Sequence, residues 1–163
     1  MGEKAIRRRC EARLRELSLP TPFDLDTFIA EIAARRGRPI ARYALPLMGG
    51  LPGLWLETNA ADLVYYEERT SPLHQQHIVL HELGHILWGH RGVRPAEIGD
   101  LTLAEWRELR QEHYTRVEEH EAETLATLIH CHAHRVRADD ARADPHIAGV
   151  LRLLNRLEGA AHE

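Results

Sequence analysis

The chain has 163 residues, which is enough for one domain with a hydrophobic core and too few for two domains of ordinary size. Its hydrophobic fraction of 44% and charged fraction of 28% are those of an ordinary globular protein, and its net charge of −4 gives no electrostatic reason to expect nucleic-acid binding. The first residues lack the apolar stretch of a secretory signal, and no apolar run approaches the roughly 20 residues that a membrane span needs. We therefore expect a cytoplasmic protein that contacts neither nucleic acid nor membrane.

Two amphipathic helices are predicted in the N-terminal region, residues 1–36. Apolar side chains recur every three or four positions from about Glu3 to Leu17 and again from about Asp24 to Arg35. A proline-containing segment separates the two helices. Gly37 follows the second helix, at a position where a left-handed residue commonly closes a helix.

Residues 37–70 differ in character and are predicted to form a small antiparallel sheet. The three strand candidates are Pro39–Leu47, Leu54–Thr58 and Asp62–Glu67. A short connection separates the last two candidates, so we predict that they form a hairpin. With helices before and after this sheet, the chain is predicted to be a single α+β domain that is mostly helical.

The next predicted helix, Pro72–Trp88, has two faces of different character. Ser71 offers a capping hydroxyl, and Pro72 suits the first helical position. One arc of the helical wheel gathers Leu73, Val79, Leu80, Leu83, Ile86 and Leu87. The opposite arc carries His74, Ile78, His81 and His85, with Glu82 at its edge. The paired histidines are therefore predicted to face away from the leucines, toward a cleft.

The motif His81-Glu82-Leu83-Gly84-His85 has the HExxH pattern of zinc hydrolases. Two histidines four positions apart on a helix point the same way, so both imidazoles can bind one metal ion. The glutamate beside the first histidine is placed to take a proton from water and to act as general base. Because the chain contains 12 histidines, the motif alone can arise by chance, and its setting in the fold matters.

The rest of the chain is predicted to be helical. The metal-site helices are expected within residues 71–137, the last of them running from near Tyr114 to Arg137. A shorter helix, capped by Thr102, is expected before it. A final amphipathic helix is expected over residues 144–158.

A third metal ligand should come from the acidic cluster at the start of that long helix. Glu119 and Glu123 are four apart and share a face, so Glu119 can bind metal while Glu123 orients a ligating histidine from behind. The apolar residues of the helix, however, centre their arc close to Glu118, so Glu118 and also His120 stay alternatives to Glu119.

Together these motifs resemble the ImmA/IrrE family of metallopeptidases. HELGH is followed by Glu119-His120-Glu121-Ala122-Glu123-Thr124-Leu125-Ala126, which matches the family's second motif, E-x-x-A-polar-x-apolar-A. The resemblance covers about residues 25–135. Two positions depart from the family pattern: Glu123 stands where Asn or Asp is more usual, and Leu125 stands where Phe is usual.

The resemblance implies a zincin-like active-site helix and one Zn²⁺ ion. In this chain His81, His85 and Glu119 would bind the ion, and Glu82 would be the general base. Members of the family typically cleave helix-turn-helix repressors and so switch on phage, mobile-element or stress-response genes. The implied partner is therefore a protein substrate, a repressor on a separate chain.

Further residues are candidates for contacts with the oxyanion or the substrate. His74 lies one turn before His81, and the other candidates are Tyr65, Tyr66, His113 and Tyr114. The strand Leu63–Glu67, just before the active-site helix, is expected to receive a substrate segment by strand addition.

We therefore expect a regulatory zinc metallo-endopeptidase. The alternative is a catalytically weak, toxin-like or regulatory binding module that keeps the fold and metal but acts through partner contact. Two further alternatives are a zinc hydrolase of small molecules and a structural protein with a chance motif.

Overall fold

The computed structural model of the protein describes residues 2–47, 51–98, 105, 108 and 113–143, with 98 and 136–143 as backbone only. This part of the chain forms five helices and three strands, which confirms the predicted α+β class. In chain order they are α1 Glu3–Glu16, α2 Leu25–Arg36, β1 Ile40–Leu45, β2 Gly53–Glu57, β3 Asp62–Glu67, α3 Pro72–Trp88, α4 Pro95–Ile98 and α5 Arg116–Ala143. The helix expected over 144–158 and most of the one expected after Thr102 lie outside the described residues.

The strands form a mixed sheet in the order β1-β3-β2, so the prediction of an antiparallel sheet was only half right. The predicted hairpin exists, because β2 and β3 pair antiparallel. However, β1 pairs with β3 in parallel. The reason is topological: β2 reverses the chain direction, β3 reverses it again, and β3 then lies between the other two strands. A central β3 has backbone partners on both sides.

A buried carboxylate ties the sheet to the end of α2. Asp62, at the start of β3, is completely buried and accepts hydrogen bonds from the guanidinium groups of Arg36 and Arg38 and from the indole N–H of Trp55. A buried carboxylate is tolerated only when its charge and its lone pairs are satisfied. Asp62 therefore has a structural role at the end of the sheet away from Glu67.

Helix α3 is the centre of the fold, since it packs on the sheet and on α5. Val79, Leu80 and Leu83 are fully buried, as the wheel predicted. Leu73, which the helical wheel placed on the apolar arc of α3, is instead 52% exposed. A helical wheel gives the direction of each side chain around the helix axis. It does not show where along that axis the neighbouring elements end. None of the described helices is long and apolar enough to cross a membrane.

Candidate metal centre

Side chains from α3 and α5 converge on one point. The Nε2 atoms of His81 and His85 lie 3.2 Å apart. Oε2 of Glu119 lies 3.5 Å from Nε2 of His81, and Oε1 of Glu119 lies 3.7 Å from Nε2 of His85. Among the described residues this is the only group of three His, Cys, Asp or Glu side chains whose ligand atoms all lie within 4.8 Å of one another.

These separations fit a metal ion. Ligand atoms at about 2.0–2.1 Å from a tetrahedral zinc ion are roughly 3.3–3.4 Å from each other. The two Nε2 atoms, 3.2 Å apart, are close to that value, and each of them has a different carboxylate oxygen of Glu119 at 3.5 or 3.7 Å. Two neutral imidazoles and one carboxylate are also a donor set typical of catalytic zinc. The group formed by His81, His85 and Glu119 can therefore bind a metal ion.

The local sequence explains why α3 presents its histidines so regularly. The Ser71 hydroxyl accepts a hydrogen bond from the backbone N–H of His74, which fixes the start of the helix. Gly89, with φ of +71°, closes the helix after Trp88. Between these caps the helix is uninterrupted, so residues 81 and 85 lie on one face.

Glu119 reaches the histidines because α5 approaches α3 closely. A Cβ atom on Gly84 would lie 2.9 Å from the carbonyl oxygen of Ala122 and 3.0 Å from its Cα. Ala122 and Ala126, whose small side chains allow such an approach, are both fully buried. The glycine inside HELGH therefore brings the helix that supplies the third candidate ligand within reach.

Glu118 is not part of the metal group. Its Oε2 accepts hydrogen bonds from the backbone N–H and the hydroxyl of Thr115, so it caps the start of α5. The backbone hydrogen bond from Thr115 holds the pKa of Glu118 below its usual range. Of the two glutamates that the sequence left open, only Glu119 lies with the histidines.

Glu123 lies behind His81, where the sequence predicted an orienting group. Its Oε2 is 3.1 Å from Nδ1 of His81, and its Oε1 is 3.0 Å from Nε2 of His77. Hydrogen bonds from His77 and then His81 lower the pKa of Glu123 strongly, so it stays ionised. The glutamate at this position thus reaches two histidines, one of them a candidate ligand.

The two candidate histidine ligands differ in environment. Burial lowers the pKa of His81, but hydrogen bonds to Glu119 and Glu123 outweigh it and raise the pKa to about 9. A metal ion that binds Nε2 of His81 must therefore displace a proton at neutral pH. His85 is fully buried, and its ring stacks on Tyr114 with 3.7 Å between centroids.

Glu82 lies beside the metal group in a cleft of about 320 Å³. The other residues that line this cleft are Pro52, His74, His77, Ile78, His81, Glu119 and Glu123. Glu82 is only 1% exposed, and its carboxylate lies against the backbone of Gly53, where a Cβ atom would come within 2.8 Å of Oε1. A larger cavity of about 580 Å³, between α1, α2 and the end of α3, contains none of these side chains.

The structure separates the candidates for substrate contact. His74 lines the cleft and pairs with the Thr70 hydroxyl, and Tyr114 lies against His85. Tyr66 does not line the cleft; it is buried, and its hydroxyl accepts a hydrogen bond from Arg42. Tyr65 stacks on Tyr43, and His113 contacts the Arg91 carbonyl; neither lines the cleft.

Sequence reasoning missed several residues around this site. Gly53 carried no signal, because its closeness to Glu82 depends on the sheet. Glu121 was given no role within the second motif, yet it is buried against His90. His130 and His134, for which no contact was predicted, are four apart on α5, and their ring centroids lie 4.5 Å apart. That spacing was readable from the sequence.

No family model, curated protein or solved structure matches this chain. The family resemblance stated above therefore stays a prediction. What is established about the site rests on its own geometry: three candidate ligand atoms, a buried glutamate beside them and a cleft that leads to both.

Proposed function

We propose that the protein is a zinc-dependent metallo-endopeptidase. The observation that carries this proposal is the spacing of the Nε2 atoms of His81 and His85 and the carboxylate of Glu119, which suits tetrahedral zinc, next to the buried carboxylate of Glu82. One open coordination position would remain for substrate or water, as in catalytic zinc sites. The resemblance to ImmA/IrrE peptidases supports the same conclusion.

The reaction would be the hydrolysis of a peptide bond. Zinc, when bound, supplies Lewis-acid polarisation of the scissile carbonyl and of the attacking water. Glu82 takes the proton of that water and later delivers it to the leaving amine. Glu123 holds the ring of His81 through Nδ1, so that Nε2 faces the ion. His74 and Tyr114 are the described candidates near the cleft for contact with the developing oxyanion.

Strand addition of the substrate cannot use the predicted strand, because β3 is central and fully paired. The sheet has two outer edges, one on β1 and one on β2, and the β2 edge is the one beside Glu82, because Gly53 lies against that side chain. The Val93 N–H donates to the Trp55 carbonyl, and the Glu57 N–H donates to the Val93 carbonyl, so residues 55 and 57 point their backbone groups away from β3.

Backbone groups alternate along a strand, so the N–H and C=O of Gly53 also point to the outer edge. Among the described residues no backbone group bonds Gly53 on that side. Since Gly53 lies against Glu82, a segment that paired there would pass close to the general base. We place the substrate strand along the Gly53 end of β2.

The substrate class proposed is a helix-turn-helix repressor on a separate chain, and cleavage would give the protein a regulatory role. This part of the proposal is supported by the family resemblance. The site itself supports the more general statement that the substrate is a protein segment able to extend beside β2.

The experiment compares the wild-type protein with Glu82→Gln. Both are loaded with Zn²⁺, and the bound metal is measured by elemental analysis. Each is then incubated with a panel of helix-turn-helix repressors, and the products are identified by mass spectrometry. We expect one zinc ion per chain in both proteins and cleavage by the wild type alone. Glu118→Gln is the matched control and should cleave normally.

Two results would overturn the proposal. Equal cleavage by Glu82→Gln and wild type would show that Glu82 is not the general base. A wild-type protein that binds no zinc would remove the metal chemistry altogether. If Glu82→Gln keeps the full biological effect without any cleavage, the protein acts through partner contact instead.

A further inference from the structure

We propose that His90, Glu121 and Arg9 form a relay that positions His85 and strengthens it as a metal ligand. This inference rests on the proposed function, since it assumes that His85 binds metal through Nε2. Two of its residues, His90 and Arg9, lie outside the HELGH and Glu119 motifs, and Glu121 occupies a variable position of the second motif. The relay links three helices: Arg9 is on α1, His85 is on α3, and Glu121 is on α5.

The contacts run in an unbroken series. Nδ1 of His85 lies 2.9 Å from Nδ1 of His90, and Nε2 of His90 lies 3.3 Å from Oε2 of Glu121. The other carboxylate oxygen of Glu121, Oε1, accepts a hydrogen bond from the guanidinium of Arg9. His90 and Glu121, the two inner members of the series, therefore each use one atom for the residue before them and another for the residue after them.

Metal binding permits only one arrangement of protons along this series. If Nε2 of His85 binds the ion, its Nδ1 must carry a proton and donate it to the neighbouring nitrogen. Nδ1 of His90 is then the acceptor, so the proton of the neutral His90 ring is on Nε2. That N–H donates to Glu121, whose ionised carboxylate only accepts. The carboxylate thus selects the His90 tautomer that His85 needs.

Burial and charge make the series more than a chance contact. The side chain of His85 is fully buried, and those of His90 and Glu121 are almost so. A buried carboxylate needs a compensating charge, and Arg9 supplies it from a position that solvent still reaches. The backbone carbonyl of Glu121 is also held, by Cys10 Sγ and by the Trp88 indole N–H.

A hydrogen bond to the far nitrogen of a ligating histidine fixes its ring and raises its basicity. The relay therefore extends the support of His85 to the N-terminal helix α1. Whatever displaces α1 from α5 would weaken the metal site, and metal binding would in turn hold α1 in place.

The test measures the zinc affinity of three His90 variants by competition with a chromophoric chelator. Asn places Oδ1 where the imidazole has Nδ1, so His90→Asn keeps the acceptor for His85 and loses the donor to Glu121. Gln places its amide where the imidazole has Nε2, so His90→Gln keeps contact with Glu121 but loses the acceptor. His90→Ala loses both.

We expect His90→Ala and His90→Gln to lower zinc affinity by about 10- to 100-fold, and His90→Asn to recover much of that loss. Gln is closer than Asn to histidine in volume, so a role in packing alone would give the opposite order. Arg9→Gln should lower affinity in the same direction by less. His132→Ala, at an exposed histidine on α5, is the control and should bind zinc like the wild type.

Folding is checked separately by thermal unfolding of every variant in excess chelator, and by the visible spectrum of the Co²⁺-loaded protein. Wild-type affinity in His90→Ala, or equal losses in the Asn and Gln variants, would overturn the relay while the zinc peptidase proposal stands. Absence of stoichiometric zinc in the wild type would overturn the proposed function first. The two failures are therefore distinguishable.

Discussion

Gly84 packs directly against the backbone of Ala122, so that a methyl group at position 84 would lie 2.9 Å from the Ala122 carbonyl oxygen. This contact sets how far Glu119 stands from His81 and His85. In an ordinary exposed helix, replacing glycine by alanine stabilises the helix by about 1 kcal/mol. Here the added methyl meets backbone atoms, which cannot rotate away.

We therefore expect Gly84→Ala to lower the free energy of unfolding by about 1–3 kcal/mol, as in other overpacked cores. It should also weaken zinc binding, because α5 must move outward. Urea unfolding followed by circular dichroism checks the first effect, and chelator competition checks the second. Unchanged or increased stability would show that the helices have room to separate.

Leu73 provides the contrasting prediction on the same helix. A core leucine replaced by alanine costs about 2–5 kcal/mol, whereas an exposed position costs less than about 0.5 kcal/mol. Since Leu73 is 52% exposed, Leu73→Ala should fall in the second class. Leu80→Ala, at a fully buried position, should fall in the first class under the same urea assay.

Glu119 and Glu118 make a matched pair for testing the third ligand. Glu119→Gln should abolish tight zinc binding, because it removes the only carboxylate that lies with both histidines among the described residues. Glu118→Gln should keep zinc and lose only part of the helix cap. Elemental analysis after dialysis distinguishes them. Retention of zinc by Glu119→Gln together with its loss from Glu118→Gln would reverse the assignment.

Gly53 is expected to control activity without controlling metal binding. An alanine there would place Cβ 2.5 Å from Cγ2 of Ile78 and 2.8 Å from Oε1 of Glu82, which displaces the proposed general base. A misplacement of about 1 Å can cost roughly a hundredfold in rate, so we expect that order of loss in kcat/KM for Gly53→Ala. The zinc content should remain one ion per chain. A variant with wild-type kcat/KM would argue against both the position of Glu82 and the β2 edge as substrate site.

Zinc uptake should release a proton from His81. Its pKa is raised to about 9, so near pH 7 the ring is charged and must lose a proton before Nε2 can bind. The apparent zinc affinity should rise by up to about tenfold per pH unit and level off above the raised pKa. Calorimetry in buffers of different ionisation enthalpy counts the released protons.

The stability of the metal-free protein should change with pH in the opposite direction to the zinc affinity. In chelator-treated protein the pairing of charged His81 with Glu119 and Glu123 stabilises the fold below the ordinary histidine pKa of 6.5, and this contribution is lost as pH rises through about 9. Glu123→Gln removes one of the two hydrogen bonds that raise the pKa, so this variant should release fewer protons on zinc binding. Equal proton release by the two proteins would contradict this account.

Local patterns in the sequence determined α1, α2, α3 and α5, the β2–β3 hairpin and the pairing of His81 with His85, but not the short helix α4. These depend on interactions within a few residues: the Ser71 cap, the spacing of four along α3 and the short turn after β2. The spacing of four between Glu119 and Glu123 predicted the orienting role of Glu123, and the resemblance to a known family added the choice of Glu119 over Glu118, which helical periodicity left open.

Only the tertiary structure decided the partners that lie far apart in the chain. The parallel pairing of β1 with β3, the closeness of Gly53 to Glu82 and the contact of Arg9 with Glu121 all join distant segments through packing. Periodicity shows which face of a helix or strand is apolar. It does not show which neighbouring element packs on that face or where that neighbour ends. For that reason HELGH was visible at once, while the residues that hold its second histidine were not.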